Sequence, residues 1–126
     1  MTLPANAKPL GFIITRDRER AKAFYVGTLG GTLLGEDQFA VVIDCGGLKV
    51  RLTTVPNHAP APHTVLGWET TDVVAGVHAL RAKGVTFNIY EGFGQDELGI
   101  WTAPGGAAQV AWFSDPDGNV LSLSTP

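Results

Sequence analysis

The side chains able to do chemistry in this 126-residue chain are few and scattered. Its three histidines, His58, His63 and His78, fall in a proline-rich stretch, before an apolar strand and in a helical segment, with no ligand-spacing motif among them. The single cysteine, Cys45, excludes an internal disulfide and a multi-cysteine metal site. With no base beside it, it reads as a small buried hydrophobe rather than a nucleophile. Arg51 carries a planar fork that suits a carboxylate or a phosphate. Its alternatives are an ion pair with Glu69 or another acid, or an outward-facing surface arginine. Asp96 has the chemistry of a general acid or base, but no neighbour identifies a partner for it. Trp101 and Trp112 flank the turn Pro104-Gly105-Gly106 and predict a hairpin. Their rings either pack in the core or stack on an aromatic ligand. Trp68 has the parity of a core position. "GTLGG" lacks the strand–helix context of a phosphate loop and reads as a turn.

The elements that must position these residues follow from composition and pattern. The length suits one compact domain, and 44% hydrophobic with 17% charged residues allows a sizeable core. The formal net charge of −3 offers no clustered basic face for nucleic acid. No apolar run approaches the ~20 residues that span a bilayer. "MTLPANAKPL" lacks the order of a signal peptide, so a cytoplasmic protein is expected.

Two internal copies are visible. "LGFIITRDRERAKAFYVGTLGG" and "VLGWETTDVVAGVHALRAKGV" each give an apolar strand, a helix-capping aspartate (Asp17, Asp72) and a helical segment. In the first helix Ala21, Phe24, Tyr25 and Thr28 recur at helical spacing; in the second Val73, Val77 and Leu80 do, with Lys83-Gly84 as the stop. Three strands should follow each helix: "GTLLGE", "FAVVIDC" and "LKVRLTTV", then "VTFNIYE", "QVAWFSD" and "VLSLS". The division is residues 1–54 and 63–126, joined by a proline-containing linker over 55–62. The second copy carries extra length over 86–108, rich in glycine and aromatic residues, which reads as a binding loop or lid that brings Gln95 and Asp96 over a site, the alternative being a solvated excursion with its aromatics pinned to the core. "DPDG", 115–118, is a tight turn into the last strand.

Two βαβββ copies in this length resemble the vicinal oxygen chelate superfamily of glyoxalases, extradiol dioxygenases and bleomycin-resistance proteins. The resemblance rests on "DRERAKAFYVGTLGG" and on the closing "DPDGNVLSL", with Ala21 where the family usually has serine. It implies an α+β fold in which the two modules form a cupped mixed sheet around a cavity. It also implies a divalent metal held by four side chains, one from the first strand and one from the last strand of each copy. Those positions fall on Leu10 and Val65, seven residues before each capping aspartate, and on Arg51 and Ser122. Hydrocarbon cannot ligate, a guanidinium repels a cation, and one hydroxyl is a poor ligand. Ser122 thus reads as a position from which metal chemistry is absent. His63 and Glu69 share the parity of Val65, but the first copy supplies them no partners.

No cofactor is therefore expected, with a divalent metal as the lesser alternative. The cavity face is expected to present Phe12, Lys49, Arg51, His63, Glu69, Asp96, Trp101, Trp112 and Ser122 to a small organic ligand. The leading expectation is a metal-free binding protein. The alternatives are an enzyme of the superfamily, a lyase, dioxygenase or transferase, and a structural or regulatory module. The resemblance also implies a homodimer, with or without exchange of modules.

Overall fold

A computed structural model describes residues 2–126. The fold is α+β and divides into two compact units, one ending at His58 and the other covering Ala59–Pro126. Each contains a four-stranded mixed sheet with the same order of pairing.

In the first unit the chain runs β1 (Leu10–Thr15), α1 (Arg18–Lys22), a π-helical segment (Ala23–Thr28), β2 (Thr32–Glu36), β3 (Ala40–Asp44) and β4 (Lys49–Thr54). The sheet order is β1-β4-β3-β2, with β1 parallel to β4 and the other pairs antiparallel. Asp17 caps α1 by accepting the Arg20 N–H. One face of the sheet buries Ile13, Thr15, Val41, Ile43, Val50 and Leu52, and Ala21 and Tyr25 of the helical segment are fully buried. The expected helix is thus present, but its second half is π-helical, closed by Leu29 N–H to the Phe24 carbonyl five residues back. Apolar spacing does not separate the two forms, because both keep residues 21 and 25 on one side. Gly31 follows at a crowded spot, where a Cβ would lie 2.8 Å from the Tyr25 carbonyl oxygen and 2.9 Å from an Ile43 methyl.

The second unit repeats the plan: β5 (Thr64–Glu69), α2 (Val73–Ala82), β6 (Ile100–Thr102), β7 (Gln109–Ser114) and β8 (Val120–Ser124). Its order is β5-β8-β7-β6, with β5 parallel to β8. Asp72 caps α2 through the Ala75 N–H. Val73 and Val77 bury against a sheet face made of Ala111, Phe113, Leu121 and Leu123. Trp68 stacks on Phe113 with ring centres 6.4 Å apart, as its parity predicts.

One expected strand is displaced. "VTFNIYE" is not a strand: Val85 and Phe87 are buried, but only Phe87 pairs, in a single bridge to Phe113. Two buried residues in alternation mimic a strand. The chain then leaves the sheet at the exposed Ile89, and the third position of the module is filled by β6, from within the stretch expected to be irregular. β6 and β7 form the hairpin predicted around Pro104-Gly105-Gly106. The turn before β8 is closed by Asp115, whose Oδ1 accepts the N–H groups of Asp117 and Asn119 and whose Oδ2 accepts the Asn119 amide at 2.8 Å.

Candidate functional site

Strand alternation sends every second side chain of each sheet away from its helix. In the first unit that face carries Leu10, Phe12 and Ile14 on β1, Lys49, Arg51 and Thr53 on β4, and Ala40, Val42 and Asp44 on β3. The register arranges them in rows. Leu10, Lys49 and Asp44 form one, Phe12, Arg51 and Val42 the next, and Ile14, Thr53 and Ala40 the third. Phe12 is 60% exposed, whereas Arg51 is partly buried. Arg51 has no hydrogen bond or ion pair with any other described residue. Its charge acts on Asp37. That carboxyl is held below its ordinary range chiefly by the Phe39 and then the Ala40 N–H, with Arg51 and Arg18 adding a weaker pull.

In the second unit the corresponding face carries Gly67 and Glu69 on β5, Val120 and Ser122 on β8, Val110, Trp112 and Ser114 on β7, and Trp101 on β6. Ser122 stands between Gly67 and Trp112 in the register. It is 9% exposed, and a Cβ built on Gly67 would fall 2.5 Å from its hydroxyl oxygen, so Ser122 occupies the space that the glycine leaves. Trp112 makes edge contacts with Tyr90 at 5.5 Å and with Phe93 at 5.9 Å, and these two rings pair at 5.6 Å. The segment 88–99 thereby lies on the face turned away from α2.

That segment is held by its own polar groups. Gln95 accepts the Tyr90 N–H at 2.7 Å and donates to the carbonyls of Asn88 at 2.9 Å and Gly99 at 2.7 Å. Asp96 accepts the N–H groups of Leu98 and Ile100, each at 2.9 Å. Asn88 is itself tied to Ser114 at 3.0 Å. Gln95 and Asp96 thus shape the loop. His63 lies exposed at the mouth of β5, its Nδ1 3.1 Å from the Thr64 carbonyl, and Lys49 and Glu69 are exposed. Phe12, Lys49 and Arg51 therefore share one face of the first sheet. Trp101, Trp112, Ser122 and Glu69 share the matching face of the second, and Asp96 and His63 lie outside the strands. Tyr90 and Phe93 are the partners of Trp112 that strand parity alone does not reach; the aromatic content of the glycine-rich segment was their only trace in the sequence.

A divalent ion is not served by these residues. The positions to which the resemblance assigns donors are hydrocarbon at Leu10 and Val65, a permanent cation at Arg51 and a single neutral hydroxyl at Ser122. Among the described residues no three His, Cys, Asp or Glu side chains come together. Burial and the charge of Asp44 push the Cys45 thiol up, away from the thiolate that ligates or attacks.

The duplicated βαβββ plan is matched in sequence as well. Residues 8–123 fit the profile of the Glyoxalase/Bleomycin resistance protein/Dioxygenase superfamily, and the chain belongs to that superfamily. Among solved structures it is similar to a member of this superfamily from Sphaerobacter thermophilus, at 28% identity and a TM-score of 0.69, covering 93% of this chain and 94% of the other. A superfamily protein from Alicyclobacillus acidocaldarius shares the fold at 19% identity and a TM-score of 0.72, over 99% and 94% of the two chains. The bleomycin resistance determinant encoded on the transposon Tn5 shares it at 16% identity and a TM-score of 0.71, over 95% and 98%. No curated protein matches the sequence.

Proposed function

We propose that this protein binds a small organic molecule on the sheet faces turned away from the helices, without the divalent ion used by catalytic relatives. The observation that carries this reading is the chemistry at Leu10, Arg51, Val65 and Ser122. Those faces keep the character of a small-molecule site, with aromatic and aliphatic walls and a few separated polar groups. A bleomycin resistance determinant encoded on the transposon Tn5 has the same fold at 16% identity. In this reading the protein is a cytoplasmic carrier or sequestering protein. A homodimer is part of the proposal, supported by the exposed edge strand β2, which presents Leu33 and Leu34 to solvent.

The test has two arms. Metal analysis of purified protein after dialysis should find no stoichiometric divalent ion, and a thermal-shift screen of small aromatic and aliphatic compounds should find ligands that raise the midpoint. A stoichiometric ion whose removal abolishes a turnover would replace the carrier with an enzyme. A screen with no shift would leave a structural module.

A further inference from the structure

We propose that the ligand carries a carboxylate, gripped by the Arg51 guanidinium, and that its hydrocarbon body lies on Phe12 and Val42 of the flanking strands. This deepens the binding reading above and rests on it. The two cations of β4 on this face have different surroundings. Lys49 is exposed, and its row contains an acid, Asp44, directly across on β3. Arg51 is partly buried, and both of its row neighbours are hydrocarbon, Phe12 on β1 and Val42 on β3. Neighbouring strands lie ~4.8 Å apart, so those two side chains flank its stem.

A guanidinium carries five N–H donors and cannot shed its proton. Arg51 spends none of them on another described residue. Its long-range influence reaches Asp37, but that Oδ1 already accepts the Phe39 and Ala40 N–H groups, at 2.8 Å and 3.0 Å. A partly buried, permanently charged group with no partner among the described residues is costly, and an incoming anion removes the cost. Planar fork meeting planar carboxylate gives two parallel hydrogen bonds. One guanidinium balances one negative charge, which favours a monoanion over a strongly hydrated dianion on this apolar ground. Phe12, 60% exposed beside it, supplies a bare ring for the rest of the molecule.

Matched pairs that differ only in charge test the idea by isothermal titration: 4-phenylbutyrate against 4-phenylbutyramide, and octanoate against octanamide. The acids should bind the unmodified protein about ten- to a hundredfold more tightly than the amides, the range a charge-assisted hydrogen bond supplies. Arg51→Gln should bring the acids down to the amides' affinity, Arg51→Lys should restore part of the preference, and Phe12→Ala should weaken both members of a pair. Amides that bind as tightly as acids, or an acid preference that survives Arg51→Gln, would overturn the assignment and leave the metal-free binder standing. Failure of both members of both pairs also overturns it. The binding reading itself falls only if the uncharged compounds of the wider screen give no shift either.

Discussion

At the level of single residues, crowding and charge make separate predictions. Gly31 has backbone oxygens on two sides, Tyr25 O at 2.8 Å and Asp44 O at 3.2 Å from a Cβ, and neither can rotate away. Gly31→Ala should therefore destabilise the protein by about 1–3 kcal/mol, the usual cost of overpacking, read from the urea midpoint. Asp37 predicts a pH dependence. Its folded carboxyl titrates below the ordinary value of 3.8, first because the Phe39 N–H bonds the charged form and next because Ala40 does. The stability it adds is present above pH 3.8 and fades as pH falls through the lower folded value. Asp37→Asn should accordingly lower the thermal midpoint at pH 6, and the gap to the parent protein should close on acidification toward pH 2.5. Which side chains share a strand face was legible at this scale, because alternation along each strand sets it. That Arg51 makes no ion pair among the described residues was not legible, since ion pairing depends on neighbours brought in by β1 and β3.

For the elements, the sequence was most informative where local chemistry and packing agree. Asp17 and Asp72 cap their helices as their positions suggest, and the hairpin around Pro104-Gly105-Gly106 forms. It was least informative between residues 85 and 102. Burial of Val85 and Phe87 imitates a strand, and three residues of β6 are too few to produce a period of their own. The loop between them is ordered by side chain to backbone bonds, which hydrophobic patterning does not register. Gln95 holds three backbone groups there. Gln95→Ala should therefore speed hydrogen exchange at the Tyr90 amide, which loses its acceptor, by about tenfold or more, while amides of β7 and β8 keep their protection. Equal acceleration in the strands would show that the glutamine supports the sheet rather than the loop.

For the whole molecule, duplication is the dominant fact. Two sheets of the same strand order, each with a helix behind it, were predictable because the copied strand–aspartate–helix pattern appears twice in the sequence. The same duplication makes the missing donors informative, since each half can be checked against the other: Arg51 takes in β4 the place that Ser122 takes in β8. An ion bound only by the native state would add to stability in proportion to its affinity. Dialysis against a chelator should therefore leave the thermal midpoint unchanged, and adding back zinc, manganese or iron(II) should not raise it. Some positions along this duplicated plan tolerate change far better than others. β6 is an edge strand, and the irregular stretch before it is joined to β7 through Asn88, which bonds Ser114 and the Trp112 carbonyl, and through the ring cluster on Trp112. By contrast, the connection between β7 and β8 is a buried turn locked by Asp115. Glu91 and Gly92, exposed between the two anchoring rings, are thus the natural place to graft new sequences when engineering this scaffold for other molecules, because diversity installed there perturbs one margin of one sheet and spares the duplicated frame.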